Sequence, residues 1–348
     1  MVLRLLLLLL VLLPGLPVCA PASPAAAELA IATWNIEHLA AADGAGCRPR
    51  GEADYAILRE VVVRLGADII ALQEIENADA AARVFPPDRY DLVISPRPVR
   101  MQQTCRHLPG QRRSAQRTGF AIDRERLASL GLRYRALPPF QEIGVGGRRW
   151  GTRIAIEPIV APATAAPASL ELIALHLKSG CAWGRLGDAN AVLPIRRTQC
   201  LVLRRQRGIL QEWIDARAAA AQPFVLLGDF NRQLDQRNDD FWQAIADGAV
   251  CDWQPHADLG RRCRSGTSRP SVHAELVLVG AGQPFPYPYN PRFPYAIDHL
   301  VLGGPARDWL RPDSYRVQGY EFLGRRAEPP PSDHHPIRAA LRLPWPAP

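Results

Sequence analysis

The sequence predicts an α/β fold with a two-sheet core and helices outside, in a single domain. Three observations predict it. Short apolar runs recur along the chain, each of strand length and bounded by turn-forming residues. Only two stretches carry a clear helical period, so strands outnumber helices and pack sheet on sheet. No linker, internal repeat or long charge block divides the 348 residues, of which 47% are hydrophobic and 22% charged. A chain with this apolar content buries a large core and is neither a coiled coil nor a disordered tail.

The first strand is Ile31-Ala32-Thr33-Trp34. Leu58, Val61, Val62 and Leu65 come next at i, i+3, i+4 and i+7, the stripe of a helix that Gly66 stops. Ile69–Leu72 then reads as a buried strand. Further strands are expected at Leu92–Ile94, Gly119–Ile122, Arg153–Ile156, Leu170–Leu177, Phe224–Leu227, Ala274–Val279, Ile297–Leu302 and Ile337–Leu343. A second helix is expected from about Pro194 to Ala220, with Leu203, Leu210, Trp213 and Ile214 inward. Long irregular segments remain at 95–118, 179–190 and 232–295. Such loops are functional or disordered, and each here holds cysteine that would tie it down.

Residues 1–27 read as a signal peptide. Arg4 precedes the apolar run Leu5–Leu13, then Pro14, Gly15 and Pro17 break it, and Ala25-Ala26-Ala27 supplies a small-residue cleavage site. The run is too short to span a bilayer. Val18 before Cys19 is too large for a lipoprotein site. The mature domain is then 28–348, exported to the periplasm or beyond, without stable membrane insertion and assumed to be a monomer. Removing Cys19 leaves Cys47, Cys105, Cys181, Cys200, Cys251 and Cys263, which in an exported chain read as three disulfides. None has the C-x₂-C spacing of a zinc site. Cys181–Cys200 and Cys251–Cys263 are favoured as local staples, leaving Cys47–Cys105, each stabilising by about 2–4 kcal/mol.

Lys+Arg is 42 against 34 Asp+Glu, a formal charge of +8, and Lys178 is the only lysine. This balance favours anionic partners such as nucleic acid or phospholipid without choosing between them.

The residues at the end of each apolar run are more informative. Ile31–Trp34 leads into Asn35-Ile36-Glu37-His38, Ile69–Leu72 into Gln73-Glu74, and Leu172–Leu175 into His176-Leu177-Lys178-Ser179. Phe224–Leu227 leads into Gly228-Asp229-Phe230-Asn231, Ile297 precedes Asp298-His299, and Ser332-Asp333-His334-His335-Pro336 opens the last strand. An unpaired carboxylate buried at a strand end is costly, so these groups are expected to converge around a cation. Oxygen ligands without cysteine suit Mg²⁺, Mn²⁺ or Ca²⁺. Singly, each segment has an ordinary explanation: a turn at Gly228–Asn231, a helix-end charge at Glu74, a core histidine at His176, a loop tether at Asp298. The order and types together say more.

Trp34-Asn35-x-Glu37, Gln73-Glu74, His176-Leu177-Lys178, Gly228-Asp229-Phe230-Asn231, Ile297-Asp298-His299 and Ser332-Asp333-His334-x-Pro336 resemble the ordered motifs of the endonuclease/exonuclease/phosphatase superfamily. The resemblance runs from about Ile31 to Leu343 and is closest to the deoxyribonuclease-I-like and sphingomyelinase-like branches, which also deliver a histidine where His176 stands. It implies a four-layer αββα sandwich of two mixed β-sheets flanked by helices, a bound Mg²⁺ or Mn²⁺, and hydrolysis of a phosphoester bond. It implies that Glu74 is the principal metal ligand, with Asn35 and Glu37 beside it and Asp333 at the metal's edge. By the same resemblance Asp229 orients or deprotonates the attacking water, Asn231 contacts the phosphate, and Asp298 holds His334. His335 departs from the pattern and, in an extended segment, faces away from His334, so it is not expected to be catalytic.

These residue types suit the chemistry. In-line hydrolysis places charge on the equatorial and leaving oxygens of the phosphate; a metal and a cationic imidazole stabilise it, and a carboxylate positions the water. A carboxylate beside His334 raises its pKa and fixes its orientation. Lys178 lies two residues from His176, on the same face of an extended strand, where a compact ammonium can meet a phosphate.

Arg97, Arg100, Arg106, Arg112, Arg113 and Arg117 flank the expected cleft, as do Arg196, Arg197, Arg204, Arg205 and Arg207, and Arg261, Arg262 and Arg264. They suit a nucleic-acid backbone, although the helix group reads slightly better as ordinary solvated surface. Tyr287 or Tyr289 in the proline-rich segment could stack on bases or simply pack its own loop. No apolar hairpin favours membrane docking. The expected function is an exported nuclease acting on DNA or RNA. A phosphatase or phospholipid phosphodiesterase on the same core is one alternative; a catalytically silent binding protein is another, against which the complete residue set argues.

Overall fold

Strand alternation divides the apolar residues between an inner core and two outer ones. In the computed structural model, which describes residues 26–99, 103–161, 167–186, 194–283 and 295–346, Leu29 and Ile31 face one way from the first strand and Ala32, Trp34 and Ile36 the other. The expected signal up to residue 25, Arg100, Tyr287 and Tyr289 lie outside the described residues.

In chain order the first strands are β1 (Ala26–Leu39), β2 (Ile69–Ile75), β3 (Tyr90–Ile94), β4 (Arg117–Asp123), β5 (Leu132–Phe140), β6 (Gly151–Pro158), β7 (Leu170–His176) and β8 (Phe224–Asp229). Four short strands, β9 (Ala249–Val250), β10 (Trp253–His256), β11 (Gly260–Cys263) and β12 (Arg269–Pro270), form two small pairs. β13 (Val277–Leu278), β14 (Asp298–Gly303), β15 (Arg316–Val317) and β16 (Ile337–Pro346) complete the set. Ala26 and Ala27, the last residues of the expected signal, open β1.

Two six-stranded sheets result, ordered β15-β16-β1-β2-β4-β3 and β13-β14-β8-β7-β6-β5. Each is mixed: β1 and β2 run parallel, as do β7 and β8, and the remaining pairs are antiparallel. The inner core is filled from both sheets by Ile31, Ile69, Phe120, Leu172, Val225 and Leu300. Helix α1 (Glu52–Leu65) covers the first sheet with Tyr55, Leu58, Val61, Val62 and Leu65. Its end is set by Gly66, which adopts the left-handed conformation at φ 58°. The short α2 (Ala78–Ala82) and α3 (Arg124–Ser129) come after β2 and β4. α4 (Pro194–Ala219) covers the second sheet with Leu203, Leu210, Trp213 and Ile214, as expected, and packs on α5 (Asp240–Ile245). The layers are helix, sheet, sheet, helix, the expected four-layer sandwich.

Two sequence expectations need correction. The strand expected at Ala274–Val279 shrinks to β13, because Val272–Ala274 winds into a 3₁₀ turn. β5 was not expected at all: it is an edge strand whose Arg133 and Arg135 both pair with Glu157 on β6, so its apolar signal is thin. All three disulfides form as expected, Cys47–Cys105, Cys181–Cys200 and Cys251–Cys263.

Candidate active site

The inner faces of the strands turn polar at one end of the core. Ile31 is succeeded by Thr33 and Asn35, Ala71 by Gln73, Ala174 by His176, and Leu227 by Asp229, at the two-residue period throughout. Parallel pairing aligns these ends: Asn35 lies opposite Gln73 in the first sheet and His176 opposite Asp229 in the second. Antiparallel β14 brings Asp298 opposite Asp229. Gly228 is required where β8 pairs with β7, because a Cβ there would collide with the Leu175 carbonyl, and its φ is 149°.

Toward and just past the ends of the strands the backbone is strained where it presents side chains. Glu37, His38, Glu74 and Asn231 all have left-handed φ, between 52° and 63°. Such residues cost about 1–3 kcal/mol each and persist only where the surroundings hold them. Those holds are visible. The Glu37 amide donates to Asn35 Oδ1 at 3.1 Å, the His38 amide to Glu74 Oε2 at 3.0 Å, and the Asn231 amide to Asp229 Oδ1 at 2.7 Å. Arg50, itself buried, donates to the carbonyls of Ile36, Glu37 and Pro331.

At the centre, His334 Nδ1 lies 2.6 Å from Asp298 Oδ2, the pairing expected from the sequence. Its Nε2 faces Asp229 Oδ2 at 3.8 Å and Asp333 Oδ1 at 3.8 Å. Burial alone would discharge this imidazole, but Asp298 and Asp229 outweigh it and hold the His334 pKa well above the ordinary value. Ser332 Oγ receives the His334 amide, and Tyr320 donates its hydroxyl proton to the His334 carbonyl while accepting from Trp34 Nε1. Asp229 is fixed by Asn35 Nδ2 at 3.1 Å and His176 Nε2 at 3.3 Å. Burial, with Asp298 beside it, pushes the Asp229 carboxyl up to about 7. His176 goes the other way: burial, then the cations Arg149 and His334, keep it neutral. His335 turns away, resting on Tyr320 with Nδ1 near the Gln318 carbonyl.

Glu74 sits beside this centre, with Oε1 3.9 Å from His176 Nε2. Burial would raise its pKa, yet His38, Arg149 and Gln116 hold it below the usual carboxylate range. Glu37 pairs with Arg48 at 3.1 Å and accepts the Asp333 amide at 3.1 Å, so Asp333 is carried on Glu37. Asn231 Nδ2 donates to the Leu177 carbonyl at 3.2 Å. Lys178 lies past the end of β7 and donates from Nζ to the Ser179 carbonyl at 2.5 Å; Arg148 and Arg149 are its cationic neighbours.

A model of the Endonuclease/Exonuclease/phosphatase family matches residues 32–334, nearly all of this framework. The chain belongs to that family. It is therefore a metal-dependent phosphoester hydrolase of the endonuclease/exonuclease/phosphatase type. The fold is similar to the human Nocturnin catalytic domain with bound sulfate anion, at 13% identity and a TM-score of 0.50, covering 92% of this chain and 96% of that one. It is equally similar to an endonuclease/exonuclease/phosphatase from Bacteroides vulgatus, at 13% identity and a TM-score of 0.50, over 91% and 99% of the two chains. No curated protein sequence matches the chain significantly.

The donors present fit the divalent ion that family members use. Glu37, Glu74, Asp229, Asp298 and Asp333 offer carboxylate oxygens and Asn35 an amide oxygen, with no thiol among them, a hard-ligand set. Asp229, Asp298 and His334 bring ligand atoms within 4.8 Å of one another, and buried Asp298 Oδ1 accepts no hydrogen bond.

Sequence reasoning gave His38 no role of its own and missed Gln116, Arg148 and Arg149. Arg149 donates to Gln116, whose Nε2 lies 3.4 Å from His38 Nδ1, which in turn lies 3.4 Å from Glu74 Oε2. The only signal for them was the pair Arg148-Arg149 between a glycine-rich stretch and a strand. Of the arginine clusters, Arg97 and Arg113 do line the cleft. Of the other two groups, Arg205 reaches the Asp258 carbonyl, Arg207 pairs with Asp240, and Arg261 with Glu212.

Proposed function

We propose that the protein is an exported nuclease that hydrolyses phosphodiester bonds of DNA or RNA by in-line attack of water. The observation that carries this reading is a cleft of about 530 Å³ beside Glu74, lined by Arg97, Arg113, Arg148 and Arg149 with Gln116. A single phosphate needs no such length of positive wall, whereas a polyanionic strand does. Among the large apolar side chains exposed in the described residues, only Val99 lines this cleft, which disfavours a lipid substrate. Three disulfides support an oxidising, extracytoplasmic location. Among the described residues no helix is long and apolar enough to cross a membrane.

Each residue of the centre has its own task. Glu74, with Asn35, Glu37 and Asp333 beside it, would hold a divalent ion, which supplies positive charge to the phosphate oxygens. Asp229, held by Asn35 and His176, orients the attacking water and can take its proton, since its carboxyl titrates near neutrality. His334 stays cationic on Asp298 and meets the charge that develops on the phosphate. Asn231 uses one amide proton on the Leu177 carbonyl and keeps the other for a phosphate oxygen.

The test is to incubate the mature protein with plasmid DNA, total RNA, a sphingomyelin analogue and an inositol polyphosphate, with Mg²⁺ or Mn²⁺ and with EDTA. Cleavage of nucleic acid that EDTA abolishes, and that weakens steeply with salt, is expected. Turnover of only the lipid or inositol substrate would replace the nuclease by the phosphatase or phospholipid alternative. No turnover despite metal binding would leave the silent binding protein.

A further inference from the structure

Two buried arginines show how a guanidinium is held where its role is structural. Arg232 donates to Asp239 Oδ2 at 2.7 Å, Asp240 Oδ1 at 3.0 Å and the Cys181 carbonyl at 3.1 Å. Arg50 donates to the carbonyls of Ile36, Glu37 and Pro331. The basic cleft differs. Among the described residues, Arg113 Nε, Ser114 Oγ and Arg148 Nε are buried without a hydrogen-bond partner, and all three residues line this one cleft. Arg204, Arg207 and Arg338 also have an unpartnered Nε, but none of them lines it. A buried donor left unmet costs more than a bond contributes, and a charged one costs most.

Neighbouring charge makes the arrangement less favourable still. Arg113 and Arg148 both bear on Arg149, and Arg148 bears on Lys178 as well, so cations are held together here. Their supports are fixed. The Arg113 amide donates to the Gln103 carbonyl at 2.7 Å and the Cys105 amide to the Gln111 carbonyl at 2.9 Å, a turned-back segment that Cys47–Cys105 anchors. Ser114 follows directly, at 7% exposure. On the other segment the Arg148 amide closes a turn on the Gly144 carbonyl at 3.0 Å. Arg148 adjoins Arg149, whose charge falls on Glu74 and Asp229, and Arg113 acts on His38, 3.4 Å from Glu74 Oε2. The unmet donors therefore stand beside the reaction centre.

We infer that Arg113, Ser114 and Arg148 form a subsite for a second, non-scissile phosphate of the substrate. This rests on the nuclease reading and narrows it: the substrate carries at least two phosphates, and a lone phosphodiester is a poor one. Guanidinium donors and a hydroxyl match phosphate oxygens, whereas a nucleobase face or a lipid tail would leave them unmet. The same chemistry accepts a neighbouring internucleotide phosphate or a terminal one.

The experiment measures short strands of equal length as competitive inhibitors of nucleic-acid cleavage. The first has neutral methylphosphonate linkages except for one anionic phosphorothioate. The second adds a neighbouring phosphorothioate, and the third adds a terminal phosphate instead. Wild type should bind at least one of the two-charge strands ~10-fold more tightly than the first. Which of them gains identifies the internucleotide or the terminal phosphate. Arg113→Gln and Arg148→Gln should each remove most of that preference and lower the salt slope of binding by about 1. Their Tm should equal or exceed that of wild type, because mutual repulsion is relieved. Ser114→Ala should weaken the preference and leave the salt slope unchanged. Arg133→Gln on β5 removes one charge elsewhere and should keep the preference. Equal inhibition by all three strands, or a preference that survives both cleft variants, would overturn the subsite while leaving the nuclease intact. So would a preference that Arg133→Gln lowers as much, since net charge alone would then explain it. A wild-type protein that cleaves no nucleic acid would remove the nuclease reading and the subsite with it.

Discussion

Strand ends build the reaction centre, whereas loops build the basic cleft beside it. Asn35, His176, Asp229 and Asp298 are each nearly fully buried and held by hydrogen bonds or register to a neighbouring strand. Arg97, Arg113 and Arg148 stand on irregular segments, one of them tied to the connection between β1 and α1 by Cys47–Cys105. The difference is one of dielectric. In the centre each charge is set by one or two fixed neighbours and is insulated from salt; in the cleft, charges act together and are screened. Damage to the centre should therefore appear in kcat, and damage to the cleft in KM and its salt dependence.

The largest effect is expected at His334. Replacing it with alanine should lower kcat by about 10²–10⁴-fold, the usual weight of a group acting on the proton inventory or developing charge. Asp298→Ala should lose a comparable amount, because His334 then loses the carboxylate 2.6 Å from Nδ1 that keeps it charged and oriented. The double mutant should lose little more, since the two act as one unit. Additive losses, read from kcat in single-turnover assays, would break the claim that the centre is a single coupled device.

Glu74→Ala is next. If Glu74 holds the ion, the variant should lose activity and also the thermal stabilisation that added Mg²⁺ or Mn²⁺ confers on wild type. At a hundredfold excess over Kd that stabilisation is about 2.7 kcal/mol, readable as several degrees in Tm. A variant that keeps the metal-induced rise in Tm would move the ion toward the Asp229, Asp298 and His334 oxygens and nitrogen, which lie within 4.8 Å of one another.

The same contrast explains what could be read from the sequence. Period-two alternation ran unbroken from Ile31 through Thr33 to Asn35 and from Leu172 through Ala174 to His176, so the strands and the inward-facing site residues were visible together. The helix ending at Gly66 and the inward stripe of α4 were equally plain. The cleft was not. Gln116, Arg148 and Arg149 belong to segments whose course is set by tertiary contacts, so no local period marks them. Arginines on α4 and β11 looked equivalent to those beside the cleft, because sequence does not show that the Asp258 carbonyl and Asp240 receive Arg205 and Arg207, or that Glu212 receives Arg261. β5 hid because its charged residues meet Glu157 at a sheet edge.

The smallest effect sharpens the boundary between the two regions, at Lys178, which adjoins both. Burial, then Arg148 and Arg149, lower its pKa to about 8, so its charge is lost as pH rises through that value. A neighbouring arginine does not titrate in this range. If the ammonium meets the substrate phosphate, kcat/KM of wild type should decline between pH 7 and 9, roughly two- to five-fold. Lys178→Arg should remove that component of the decline, because the guanidinium stays charged, and Lys178→Gln should show the loss already at pH 7. Asp229 titrates in the same region, but it is unchanged in both variants, so the difference between their profiles and that of wild type isolates Lys178. A Lys178→Arg profile that falls as the wild-type one does would place the titrating group elsewhere in the centre and leave substrate capture to the arginine cleft alone.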